Sequence, residues 1–140
     1  MKKILLFSLV IISTTSYFAQ CSSNTFYDDC STQLDKALFI KAFSISTSDM
    51  KKGEKSVEYN YVFSKGTTYT ITSCDIESNK MIIELYDRNK KLIASNYDKT
   101  KRKFYPKIAY PCSATGVYYL KYKFKSDDDA CGISMLGFSK

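Results

Sequence analysis

A period-two alternation of apolar and polar residues runs along much of the chain and is clearest in the segment 116–125. Successive side chains of an extended strand point to opposite faces, so this pattern predicts a β-strand with one buried face. Burial of each large side chain contributes about 1.5–3 kcal/mol and requires neighbouring strands to cover it. The buried face comprises Tyr118, Leu120, Tyr122 and Phe124. The opposite face comprises Tyr119, Lys121, Lys123 and Lys125.

Two hairpins are predicted from alternating segments that are separated by residues typical of turns. The segments 57–63 and 68–72 flank the turn Ser64-Lys65-Gly66. The sequence DRNKK at 87–91 connects two further alternating segments, and Asn89 suits a left-handed turn position there. Successive strands are therefore expected to lie beside one another as antiparallel neighbours.

The same alternation around 104–110 and 131–138 completes a set of seven to eight strands. Tyrosine and phenylalanine are abundant, with 12 and 9 copies, and they favour pleated surfaces. The fold class predicted is all-β, an antiparallel β-sandwich with a short N-terminal helix.

The segment 32–42 is predicted to form that helix. Ser31 or Thr32 provides an N-cap, and apolar residues follow at helical spacing. These are Leu34, Ala37, Leu38 and Ala42. A strand over 37–45 is the alternative, because this segment also contains good strand formers. They are Phe39, Ile40, Phe43 and Ile45.

The N-terminus has the layout of a secretory signal, with Lys2 and Lys3 before the apolar run 4–12 and a small residue at Ala19. The predicted organisation is a signal peptide over 1–19, a lead-in with helix and loop over 20–55, and a β-sandwich domain over 56–140. A lipoprotein signal, with lipid attached to Cys21, is the alternative. The protein is expected to be periplasmic, on the cell surface or secreted. No later apolar run approaches the length of about 18 residues that a spanning helix needs, so no transmembrane segment is expected in the mature chain.

The formal net charge of the whole chain is +7, and loss of the two signal lysines leaves +5. The lysines are spread over strand faces and loops, so nucleic acid is not a predicted partner. Solubility of a tyrosine-rich surface is the preferred explanation of the charge, with attraction to anionic envelope polymers as the alternative.

The chain contains five cysteines, and structural disulfides are expected in an oxidising compartment. If each strand reverses the one before, Cys74 and Cys131 lie at the same end of the domain. We therefore predict the pairs Cys74–Cys131 and Cys30–Cys112, with Cys21 unpaired. Three pairings of the four are possible, and the sequence leaves them open.

The region 63–138 resembles the bacterial pre-peptidase C-terminal domain. The similar pieces are VFSKGTTYTI from Val62, IELYDRNKKLIASN from Ile83 and CSATGVYYLKYKF from Cys112. The resemblance implies a small jelly-roll-like β-sandwich that is not itself catalytic, and some domains of this type bind polysaccharide or protein. The chain is also similar to small secreted proteins of Bacteroidetes. No functional residue is carried over.

The absence of histidine excludes Ser-His-Asp and Cys-His nucleophiles and the common zinc sites. The alternative is a carboxylate pair for glycoside hydrolysis from Glu58, Glu77, Glu84 or the aspartates, but most of these residues fall in turns or on outward faces. A second candidate is a Ca²⁺ site at Asp127, Asp128 and Asp129, for which a solvated turn is the preferred explanation. We predict no enzyme activity and no cofactor.

Exposed tyrosines and lysines are the best candidates for binding. They are Tyr86, Tyr105, Tyr119, Lys107, Lys121 and Lys123. Cross-strand pairing that merely stabilises the sheet is the alternative. The predicted function is a non-catalytic exported interaction or adhesion module that binds an envelope protein or polysaccharide. The alternative is a glycan-binding or glycan-hydrolysing accessory protein.

Overall fold

Antiparallel strands make up most of the computed structural model, which describes residues 23–50, 53–75, 80–125 and 130–140. Within these ranges one α-helix, α1, spans Ser23–Gln33, and a short 3-10 helix spans Thr47–Asp49. The strands are β1 Leu38–Ser46, β2 Val57–Phe63, β3 Thr68–Thr72, β4 Cys74–Asp75, β5 Met81–Tyr86, β6 Leu92–Ser95, β7 Tyr97–Asp98, β8 Lys103–Phe104, β9 Lys107–Pro111, β10 Gly116–Phe124 and β11 Cys131–Ser139.

The strands form two facing sheets and a small ribbon. The first sheet has the order β1-β11-β3-β9, with β4 also paired to β11. The second sheet has the order β2-β10-β5-β6, and the ribbon consists of β7 and β8. The predicted all-β sandwich is confirmed, and eight of its strands have four or more residues. No helix in the described ranges is long and apolar enough to cross a membrane.

Aromatic side chains fill the space between the sheets. Phe63 of the second sheet stacks on Tyr69 of the first, with ring centroids 3.8 Å apart, and on Tyr118 at 4.9 Å. Tyr122 is fully buried, and its hydroxyl donates a hydrogen bond to Ser134 Oγ at 3.1 Å. The predicted inner face of β10 is therefore confirmed as core.

Helix α1 covers the outer face of the first sheet. Cys30 and Leu34 pack there in a second buried cluster with Ile133 and Met135 of β11. Gly137 lies where a Cβ atom would come within 2.9 Å of Leu34 Cδ2, so a glycine permits the close approach of the segment that follows the helix. Both faces of β11 are covered as a result.

The helix predicted over 32–42 is wrong. The helix ends at Gln33, and the alternative interpretation, a strand in this region, corresponds to β1. Phe43 and Ile45 enter the core at period two while β1 pairs with β11, and this tertiary contact outweighs the helical spacing. The sandwich therefore begins inside the range 20–55 that was predicted to be a lead-in.

The first predicted hairpin is also wrong, because β2 and β3 belong to different sheets. The turn at Ser64-Lys65-Gly66 carries the chain across the sandwich, with Gly66 at φ 82°. The second predicted hairpin, β5 with β6, is confirmed. Its left-handed residue is Lys90 at φ 59° rather than Asn89, because Asp87 Oδ1 accepts hydrogen bonds from the N–H groups of Asn89 and Lys91.

The predicted disulfides Cys74–Cys131 and Cys30–Cys112 are wrong. Cys30 is bonded to Cys74, with their Cα atoms 5.8 Å apart, Cys131 also takes part in a disulfide, and Cys112 is free and buried. The prediction failed because it placed the N-terminal segment near the Cys112 loop, whereas α1 packs over β4 and β11.

Several predictions concern residues outside the described ranges. These are the signal peptide over 1–19, the unpaired or lipidated Cys21, Glu77 as a carboxylate candidate, and the Ca²⁺ candidates Asp127, Asp128 and Asp129.

Replacing Cys30 and Cys74 together by serine should lower the free energy of unfolding by about 2–4 kcal/mol, because the bond closes a loop in the unfolded chain. The two cysteines are 44 residues apart. Urea denaturation of the wild type and the double variant measures the loss. Peptide mapping without reduction should recover the Cys30–Cys74 link and show Cys112 alkylated only after unfolding. A peptide that links Cys30 to Cys112 would contradict this structure.

Candidate functional site

The outer face of the second sheet carries a continuous row of polar and aromatic side chains. Alternation places the outward residues of β10 between those of β2 and β5, and the register aligns Tyr119 with Asn60 and with Tyr86. We call this set the outer face. It consists of Glu58, Asn60 and Val62 on β2, Val117, Tyr119, Lys121 and Lys123 on β10, and Glu84 and Tyr86 on β5.

Glu84 holds two neighbouring side chains in place at one end of the outer face. Its side chain is buried and receives hydrogen bonds from Lys123 Nζ at 2.6 Å and from the Tyr86 hydroxyl at 2.8 Å. Burial alone would raise the pKa of Glu84, but these bonds and the charges of Lys123 and Lys99 lower it below its ordinary value. Burial and the bond to Glu84 raise the pKa of Tyr86 to about 12. The carboxylate is therefore charged and the phenol neutral near pH 7.

The centre of the outer face is held by Lys90, which comes from the β5–β6 turn. Its ammonium lies 3.2 Å from the centroid of the Tyr119 ring and forms an ion pair with Glu58. Lys121 lies in register with both Glu58 and Glu84, yet each of these carboxylates is bound by another lysine. In the described part of the chain, Lys121 is consequently left without an ion pair.

The other end of the outer face is apolar. Val62 and Val117 are cross-strand partners, and these residues are 57% and 39% exposed. They line an open depression of about 480 Å³ together with Asn60 and Tyr61. Sequence analysis missed this pair, although two valines at outward positions of alternating strands are a signal that could have identified it.

The six residues predicted as a binding surface do not all lie together. Tyr86, Tyr119, Lys121 and Lys123 share the outer face. Lys107 begins β9, an edge strand of the first sheet, and its Nζ donates a hydrogen bond to the Gln33 carbonyl at 3.4 Å. Tyr105 lies before β9, and Lys103 Nζ is 5.3 Å from the centroid of the Tyr105 ring. The chain leaves the second sheet between β6 and β9, which separates these two residues from the others.

The carboxylates of the outer face do not have the properties of a hydrolytic pair. A glycosidase needs one carboxylic acid with a raised pKa, but the pKa of Glu84 is lowered and Glu58 is held by Lys90. Across the described ranges, no group of three or more His, Cys, Asp or Glu residues is arranged to hold a metal ion.

A smaller cleft of about 270 Å³ lies at one end of the sandwich, between the β5–β6 turn and the loop before β10. Arg88, Tyr110 and Tyr118 are among its lining residues. Below it, the buried Cys112 thiol donates to the Ala114 carbonyl at 3.2 Å, as does the Tyr118 hydroxyl at 2.8 Å. Burial and hydrogen bonds to Tyr110 and Cys112 raise the pKa of Tyr118, so its hydroxyl is neutral near pH 7.

Two solved structures share this sandwich at low sequence identity. One is PliG of Aeromonas hydrophila, a periplasmic lysozyme inhibitor of g-type lysozyme, with a TM-score of 0.52, 13% identity, and coverage of 74% of this chain and 89% of that protein. The other is the pre-peptidase C-terminal domain of collagenase from Bacillus anthracis, with a TM-score of 0.50, 14% identity, and coverage of 73% and 90%.

No protein-family model matches the sequence, and neither does any curated protein. The similarity to the two solved structures establishes the fold, and at that level it confirms the resemblance to pre-peptidase C-terminal domains.

Replacing Lys123 by glutamine should destabilise the protein by about 1.5–3 kcal/mol at pH 7, because the buried Glu84 carboxylate loses its charged donor. Since the folded-state pKa of Glu84 is lowered, its stabilisation is present above the ordinary value of 4.5 and is lost as the pH falls through the folded value. The difference between wild type and variant should therefore shrink on acidification.

Urea denaturation at a series of pH values measures this difference. Lys121→Gln, on the same strand and without an ion pair in the described part, is the matched control and should cost less than about 0.5 kcal/mol. A Lys123→Gln effect that stays constant with pH would show that Glu84 is not the group being stabilised.

Proposed function

We propose that this chain is a non-catalytic, exported module that binds a protein partner through the outer face of the second sheet. The observation that carries the proposal is the exposed Val62–Val117 pair beside Tyr119 and a row of charged residues. The proposal that the protein is exported is based on the signal-like N-terminal sequence described above.

The arrangement has the composition of a protein interface, which combines an apolar or aromatic centre with a polar rim. Val62, Val117 and Tyr119 provide the centre, and Asn60 with Lys121 provides polar contacts beside it. Since Lys90 already holds the Tyr119 ring, that side chain loses little conformational freedom when a partner binds. A partner would therefore meet a preformed surface.

The position of β2 extends this surface. Within the described part of the chain, β2 pairs with β10 alone and lies at the edge of its sheet. An edge strand offers backbone N–H and C=O groups to a partner's strand, in addition to its side chains. Val62 lies on this edge strand, so side-chain and backbone contacts would be adjacent.

The glycan-binding alternative is less well supported on this face. Sugar rings stack on open aromatic faces, but the Lys90 ammonium lies over the ring of Tyr119 and the hydroxyl of Tyr86 is bound to Glu84. The lowered pKa of Glu84 also weakens the hydrolytic alternative. Protein binding is the function that the geometry supports best.

The structural neighbours fit this proposal at the level of fold. PliG is described as a periplasmic lysozyme inhibitor, which is a protein-binding role on a similar sandwich. A g-type lysozyme is accordingly the first purified protein to test as a partner, alongside capture from the native cell envelope.

Replacing Val62 and Val117 together by lysine should reduce retention of the partner by about tenfold or more, because charges would be buried at the interface centre. The measurement is quantitative pull-down from solubilised envelope, followed by calorimetry with the identified protein. Lysozyme is tested in parallel by inhibition of cell-wall lysis.

Leu38→Lys is the matched control, since Leu38 is 63% exposed and lies on the first sheet. Unfolding curves of all variants establish that they fold. The proposal is rejected if no protein is retained by the wild type, or if the double variant and the control retain equal amounts of it.

A further inference from the structure

The ribbon formed by β7 and β8 presents a surface of different chemistry. The segment 99–103, called the β7–β8 connection here although Lys103 is already the first residue of β8, reads KTKRK, and all five of its residues are exposed. Its cations are Lys99, Lys101, Arg102 and Lys103. Asp98 is the one acidic residue among residues 97–105, so this segment carries a net charge of +3.

Backbone hydrogen bonds fix the conformation of this connection. Asp98 Oδ1 accepts from the N–H groups of Thr100 at 2.9 Å and Lys101 at 3.0 Å. The bond from Lys101 and that from Thr100 hold the pKa of Asp98 below its ordinary value. Arg102 adopts φ 51°, a left-handed conformation that returns the chain to β8. The carboxylate of Asp98 thus binds the backbone of the turn.

The base of the ribbon is anchored to the core. Asn96 is buried, its Oδ1 accepts from the Ile83 N–H at 2.7 Å, and its Nδ2 donates to the Met81 carbonyl at 3.0 Å. The Tyr105 N–H donates to the Asn96 carbonyl at 2.7 Å. Both ends of the ribbon are therefore tied to one buried side chain and its backbone, so the cations extend from a fixed support.

The aromatic residues of the ribbon reinforce that support. Tyr97 and Phe104 lie opposite each other with ring centroids 4.4 Å apart. Lys125 Nζ lies 5.3 Å from the Tyr97 centroid and 6.0 Å from that of Phe104, which adds a further positive charge beside the ribbon.

The ribbon cations are only partly offset by carboxylates of the described residues, since Lys99 acts on Glu84 and Lys101 on Asp98 without forming an ion pair. Two ion pairs of the described residues join Lys90 to Glu58 and Lys123 to Glu84, whereas none of the four cations of 99–103 forms one there. Four cations within five residues, with Asp98 as the one acidic residue of 97–105, create a local positive potential that attracts a polyanion.

We infer that the β7–β8 connection is a binding site for an anionic polysaccharide, a polymer that carries carboxylate or sulfate groups along its length. This site lies beyond the protein-binding outer face and does not depend on it. A membrane surface fits less well, because the connection has no apolar side chain to insert among lipid chains. Single-stranded nucleic acid also fits less well, because the Tyr97 and Phe104 rings contact each other rather than forming an open stacking platform.

The test measures binding of the mature protein to alginate, a polyuronate, by calorimetry between about 50 mM and about 200 mM salt. The wild type should bind more weakly as salt rises. The variant Lys99→Gln/Lys101→Gln/Lys103→Gln should bind about tenfold or more weakly at the lower salt and depend less on salt, because three ionic contacts are lost. Arg102, with its left-handed conformation, is left unchanged to preserve the turn.

The matched control, Lys36→Gln/Lys65→Gln/Lys91→Gln, removes the same charge from three other exposed lysines and should bind like the wild type. The variant Val62→Lys/Val117→Lys should also keep binding alginate, which separates this inference from the proposed function. The inference is overturned by absence of alginate binding, by an equal loss in the control, or by equal or tighter binding to phosphatidylglycerol vesicles or to single-stranded DNA.

Discussion

The burial of Tyr122 between the two sheets is the constraint on which the arrangement of the surface depends. Its ring is packed among Phe43 and Tyr59, and its hydroxyl reaches Ser134 on the facing sheet. Since alternate residues of a strand face opposite sides, fixing Tyr122 inward fixes Lys121 and its neighbours on β10 outward. A strand slipped by one residue would bury lysines in the core, so the register of the second sheet and the composition of its outer face have one cause.

The strands were predictable wherever apolar residues alternate, because a strand with one buried face leaves this alternation in a short stretch of sequence. Their partners were not, because β2 and β3 are close in sequence yet pair in different sheets through distant strands. The segment around Phe43 shows the same limit, since its helical spacing yields to pairing with β11. The disulfide prediction inherited this error, because it assumed a simple succession of strands.

The candidate site was predictable in part. The phase of β10 and β5 correctly places Tyr119 and Tyr86 on one surface. Val62 lies at an outward position of β2 and was overlooked because the candidates were limited to exposed tyrosines and lysines. The outer face and the β7–β8 ribbon both carry lysines, but they differ in whether those lysines bind carboxylates. On the outer face, Lys90 and Lys123 each bind a carboxylate, whereas the ribbon cations have no such partner in the described residues.

The bond between Cys30 and Cys74 has a consequence for the packing of helix α1. Helix α1 has 11 residues, and a helix of this length is only marginally stable by itself in water. The main core cluster is built from residues of the two sheets and contains no residue of the helix. Oxidation of the two thiols fastens the helix over Ile133 and Met135 and excludes water from them. Without the bond, only side-chain packing would hold the helix over those two residues, so they would be covered less securely.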